Sequence, residues 1–150
     1  MMQYSEGRLG RVYVIRMDEG EDLIASLQRF VEEKGIESGI IHFLGALRTG
    51  RAVTGPESPI IPPIPHFESF EGAWELFGVA TVYPSGEGPK LHLHASLGKG
   101  DRTLTGCLRE KARIYLIVEA VLLEVTGISG RREWDKQTEL NLLTLGEKLP

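Results

Sequence analysis

The segment at 114–125, Ile-Tyr-Leu-Ile-Val-Glu-Ala-Val-Leu-Leu-Glu-Val, constrains the fold more than any other part of the chain. It is apolar at both alternating sets of positions, so as a β-strand it offers apolar side chains to each face of a sheet and calls for cover on both. Glu119 interrupts the run, which is also shorter than the roughly 20 residues a membrane-spanning helix needs, and the segment therefore predicts a soluble, buried strand. Only one stretch is patterned to supply a covering helix: Leu23, Ile24, Leu27, Phe30 and Val31 recur at helical spacing, Asp22 can cap the start, and Gly35 suits the left-handed position after the end. One helix cannot cover a whole sheet. A second copy of the chain is the available cover, and the run predicts a homo-oligomer.

The remaining segments read as strands. The stretch at 11–17 is a first strand that precedes the helix. Residues 38–47 are β-rich, and 51–54 can return beside them after a turn at Thr49 and Gly50. Five of the eight prolines fall at 55–65, which predicts an extended loop. Residues 67–70 and 73–83 alternate as strands, and 139–145 can close the sheet. A chain of 150 residues, 41% hydrophobic and 25% charged, suits one domain over 1–150 with a real core. The fold class expected is α+β: a large, mostly antiparallel sheet with one main helix after the first strand.

The chemistry concentrates in Leu91-His-Leu-His-Ala-Ser-Leu-Gly-Lys-Gly-Asp-Arg-Thr-Leu-Thr-Gly-Cys107. His92 and His94 are two residues apart, so on a strand their imidazoles share one face. A hairpin turning at Gly100 and Asp101 sets Cys107 opposite His94, on that same face. Cross-strand Cβ atoms lie about 5 Å apart, which lets two imidazoles and a thiolate converge on one ion, and zinc accepts that set. The competing reading is a solvated pair of histidines and a small buried cysteine, and an odd-numbered turn would break the register. Three ligands leave a fourth position for water, substrate or another residue; His42 and His66 are the other histidines. Arg109 would share the ligand face and could orient an anion beside the ion, or stand exposed. Glu75 reads as a surface charge or as a general base near the metal.

Gly72-Ala-Trp-Glu-Leu-Phe-Gly-Val-Ala-Thr81, Leu91-His-Leu-His-Ala-Ser-Leu-Gly98 and Thr105-Gly-Cys-Leu-Arg109 resemble, in order and spacing, the PPC (plants and prokaryotes conserved) domain, and the match covers nearly the whole chain. The resemblance implies a homotrimer built on a PPC-like α+β sheet. It also implies that Trp74, Glu75 and Leu76 correspond to a region of partner contact, against the alternative that Trp74 is a core anchor. Where plant domains have Gly-Gly-His, this chain has Thr105, Gly106 and Cys107, an exchange that keeps a metal ligand. The fold is also similar to that of acetolactate decarboxylase, although a shared fold transfers no reaction.

Two features bear on DNA. The Arg-Gly-Arg-Pro core of an AT-hook is absent, and a net charge of −4 argues against broad attraction to phosphates. With one cysteine there is no intrachain disulfide, and the first residues lack the pattern of a signal peptide, so a cytoplasmic location is expected. The functional expectation is a stand-alone trimeric domain that binds DNA or a regulatory partner and carries zinc at His92, His94 and Cys107. The alternative is a zinc-dependent lyase or hydrolase acting on a small carbonyl substrate, with no catalytic residue assigned.

Overall fold

The computed structural model describes residues 2–148. Its elements are β1 (Gln3–Tyr4), β2 (Arg8–Asp18), α1 (Leu23–Glu33), β3 (Gly39–Pro56), β4 (Pro65–Ser85), β5 (Gly88–Lys99), β6 (Arg102–Thr126), β7 (Gly130–Asp135), β8 (Leu140–Leu145) and β9 (Glu147–Lys148). Five antiparallel strands in the order β2-β6-β3-β4-β5 form the main sheet, and β5 pairs again with β6. The pairings β3–β4, β4–β5, β5–β6 and β6–β3 thus close on themselves. This is the expected α+β class.

The long strands alternate as a half-buried sheet should. Ile41, Phe43, Leu47, Ala80, Val82, Leu93, Ala95, Leu97, Val118, Ala120 and Leu122 point inward and are buried. Helix α1 covers this inner face with Leu23, Leu27 and Val31, all fully buried. Asp22 caps it by accepting from Ala25 N at 3.0 Å, and Gly35 follows its end at a φ of +61°.

Several expectations change. Residues 38–47 and 51–54 do not pair with each other; from Gly39 onward they belong to the single strand β3, because Gly50 pairs onward with Phe70 and Ala112 instead of turning. Residues 67–70 and 73–83 likewise merge into β4. The strand at 139–145 does not close the sheet: β8 pairs with β7 in a separate hairpin, and closure falls to β5 and β6. The 114–125 run has only its inner face covered. Ile114, Val118, Ala120 and Leu122 are buried, while Leu116 and Val121 are exposed.

Candidate metal centre

The site arises where two strands part. From Lys99 and Arg102 the hairpin of β5 and β6 pairs residue for residue until His94 meets Cys107. Beyond that pair β5 stays with β4, and β6 stays with β3, where Cys107 also faces Val53. The register depends on the two-residue turn with Gly100 at a φ of +61°. Gly106 lets β3 come close, since a Cβ there would meet the Val53 carbonyl oxygen at 2.2 Å.

His92, His94 and Cys107 come together as the spacing predicts. Their donor atoms all lie within 4.8 Å of one another, and the Nε2 atoms of the two histidines are 3.1 Å apart. Ligand atoms on a tetrahedral zinc are separated by about 3.3–3.6 Å, from Zn–N and Zn–S bond lengths. Shifts of an ångström or less would bring these three side chains onto one ion. Both histidines are exposed and Cys107 is buried, so the set has a wet side and a dry side. Partial burial of its ring, then the neighbouring His94 and the Arg132 and Arg109 guanidiniums, hold the His92 imidazole below its ordinary pKa. That favours the neutral form, the one that ligates metals.

The other candidates lie elsewhere. His42 is two strands from His94, with Val79 between them, and His66 Nδ1 is 2.8 Å from Glu57 Oε1. Neither completes the set. Trp74 and Leu76 are buried core residues; the Trp74 indole donates to the Glu71 carbonyl at 3.0 Å, stacks edge-on against Phe70 and lies under Arg102. Of the three residues read as a partner contact, Glu75 alone faces solvent, at a position directly across from Gly98, well along the hairpin from the histidines.

A cavity of about 860 Å³ opens in the gap beyond the His94–Cys107 pair. Its walls include His92, Cys107, Arg109, Gln28 of α1, and Arg132 and Asn141 of the β7–β8 hairpin. A second cavity of about 420 Å³ is lined in part by His94, Cys107 and prolines of the 55–65 segment, and shares Cys107 and Arg109 with the first. Arg132 is the residue that sequence reasoning missed. The cluster at 131–133 reads as a solvated turn, but Arg132 Nη2 donates to Thr81 Oγ1 at 3.0 Å, and Thr81 sits directly across from His92. No signal local to that segment could have shown it, because the placement comes from docking of a separate hairpin.

The chain is similar to a metal-containing protein from Archaeoglobus fulgidus, with 26% identity, a TM-score of 0.84 and coverage of 95% of this chain and 99% of that one. It is equally similar to a plant- and prokaryote-conserved (PPC) protein from Pyrococcus horikoshii, with 26% identity, a TM-score of 0.82 and 99% of both chains covered. A Bacteroides thetaiotaomicron protein provisionally described as DNA-binding shares the fold at 24% identity and a TM-score of 0.77, over 97% of this chain and 99% of that one. Comparison with curated proteins finds no match. Residues 4–126 match the family model of the Plants and Prokaryotes Conserved (PCC) domain, and the chain belongs to that family.

Proposed function

We propose that this chain is a single-domain, homotrimeric zinc protein whose metal centre makes it a ligand-responsive regulatory module, acting through a partner macromolecule. The observation that carries this reading is the convergence of His92, His94 and Cys107 within 4.8 Å at the mouth of a cavity. Three protein donors leave a fourth position on a tetrahedral ion for a ligand, and the gap between β5 and β6 gives that position access. The similarity to a metal-containing protein supports the reading. The exposed apolar outer face of the sheet supports assembly with other copies. A protein partner fits the chain better than DNA does, because a net charge of −4 gives phosphates little long-range attraction. Among the described residues no helix is long and apolar enough to cross a membrane, and the cytoplasm, which keeps the single thiol reduced, suits this function.

A second reading is favoured by the cavity itself. Its volume suits a small molecule, and zinc there would polarise a carbonyl or activate water in a lyase or hydrolase reaction. In that reading Arg109 would orient an anionic group.

The test is elemental analysis of the purified protein beside the His92→Ala/His94→Ala variant, coupled to solution mass. About one zinc per chain in a trimer, lost in the variant, is expected. A folded trimer without metal would refute the metal centre, and release of product from small carbonyl compounds would favour the enzyme over the regulator.

A further inference from the structure

The β7–β8 hairpin brings a half-buried cation to the edge of the triad. Arg132 is half-buried; one guanidinium nitrogen donates to Thr81, the plane lies 5.7 Å from the centre of the Tyr83 ring, and Nε is buried with no hydrogen-bond partner. An unmet donor on a buried charged group costs several times what an exposed one does, and such groups in folded proteins are normally satisfied by an acceptor. The acidic residues of the cavity do not supply it. Asp22 is engaged by Ala25 N and Ala112 N, and Glu110 is paired with Arg51 at 2.9 Å. Lys90 is paired with Glu87 at 3.4 Å. Arg109 and Arg132 are therefore the cavity's two cations without a carboxylate partner among the described residues.

We infer that Arg132, assisted by Arg109, is the anchor for the carboxylate of a small organic acid, which places a second oxygen of that acid at the open position of the metal centre. A guanidinium presents two parallel donors to a carboxylate, a geometry that lysine cannot reproduce. Thr81, which orients Arg132, lies across from His92, so the two halves of the ligand need to span only neighbouring side chains. Both guanidiniums line the same cavity as His92 and Cys107. Arg132 falls outside the 4–126 stretch that matches the family model, so the anchor is not carried by the motifs that identify the family. The second-oxygen half of this inference rests on the metal reading above; the carboxylate half stands on Arg132 alone.

The experiment is calorimetric titration of the full-length protein, zinc-loaded and chelator-stripped, with lactate and with lactamide, its uncharged counterpart. Zinc-loaded wild type is expected to bind lactate at least 10-fold more tightly than lactamide. Arg132→Gln should lose that preference while keeping wild-type zinc content, and Arg132→Lys, which keeps the charge but not the fork, should regain only part of it. Equal binding of the two probes to wild type, or an unchanged lactate preference in a folded Arg132→Gln protein, would overturn the carboxylate site. The lactate-to-lactamide ratio on chelator-stripped wild type needs no variant and removes any preference owed to zinc itself, so misfolding of either substitution does not blunt the test; equal binding of the two probes there would overturn the anchor. If no zinc is taken up and lactate is still preferred in an Arg132-dependent way, the carboxylate anchor is upheld and the metal centre is refuted.

Discussion

At the scale of single residues, Cys107 decides the character of the site. It is 7% exposed, and it is the point where β6 faces both His94 and Val53. A sulfur so placed would approach an ion from the buried side, while the two imidazoles would approach from the wet side. Substituting Ser removes a soft ligand with little change in volume, so metal binding should suffer far more than folding. Loss of groups that merely orient a ligand costs about 10–100-fold in metal affinity, and loss of the ligand itself should exceed that. Cys107→Ser is expected to weaken zinc binding by at least about 100-fold, read by competition with a chromogenic chelator, with a thermal midpoint close to that of the metal-free wild type. Unchanged zinc affinity would remove Cys107 from the ligand set. The triad was legible in sequence because two-residue spacing on a strand and an even-numbered hairpin turn are local rules that tertiary context had no occasion to override. Arg132 was illegible for the opposite reason: its neighbours Thr81 and Tyr83 are about 50 positions away, and nothing in Gly130–Asp135 encodes where that hairpin docks.

Elements are held to one another by a few polar side chains that serve two masters. The Asp22 carboxylate caps α1 through Ala25 N and also accepts from Ala112 N of β6 at 2.9 Å. Asp22→Ala should cost about 2–3 kcal/mol in denaturant unfolding, the sum of a lost cap and a stranded backbone donor; a cost under about 1 kcal/mol would mean that water replaces one of the two bonds. A second tie lies at the bulge in β2. Arg11 donates from its backbone N, Nε and Nη2 to the Glu124 carboxylate of β6, and from Nη2 to the Lys34 carbonyl at the end of α1. The guanidinium and backbone N–H of Arg11 pull the Glu124 pKa from 4.5 down to about 2. A carboxylate depressed on folding contributes stability above its unfolded pKa and loses it as pH falls through the folded value. Between pH 4.5 and about 2, wild type should therefore lose stability more steeply than Glu124→Gln, as followed by urea midpoints across that range; parallel curves would show that the pair contributes nothing. Strand boundaries were the least legible feature at this scale. Thr49 and Gly50 carry turn chemistry, yet β3 continues through them, with its register shifting on either side, because Gly50 is needed for close packing: a Cβ there would meet the Phe70 ring at 2.5 Å and the Lys111 carbonyl oxygen at 2.7 Å. Glycine signals close approach as often as it signals a turn.

At the scale of the whole molecule, the outer face of the sheet is a surface that one chain leaves unfinished. Register places Val14, Val121, His42, Val79 and His94 in one row across β2, β6, β3, β4 and β5, and Arg16, Glu119, Leu44, Phe77 and Ser96 in the next. Val14 is 83% exposed, Phe77 68% and Leu44 57%. Large apolar side chains in adjacent rows form a contiguous patch of the kind that soluble proteins cover by association. The apolar run at 114–125 announced this from the sequence, since its outward set was as apolar as its inward one, and among the described residues the helix that covers the inner face has no counterpart outside. Copies of the same chain meet the requirement, because each brings an equally apolar face and closed symmetry leaves none exposed. The His94 row belongs to this same face, so assembly there would set the wet side of the metal triad beside a neighbouring copy. Replacing Leu44 and Phe77 together by Asp introduces charge into the patch without touching the buried inner set. If the proposed trimer forms through this face, light scattering should then show the mass fall to that of one protomer, with the far-ultraviolet spectrum of the protomer retained. An oligomer that survives both aspartates would place the interface on another surface and leave His92 and His94 facing solvent.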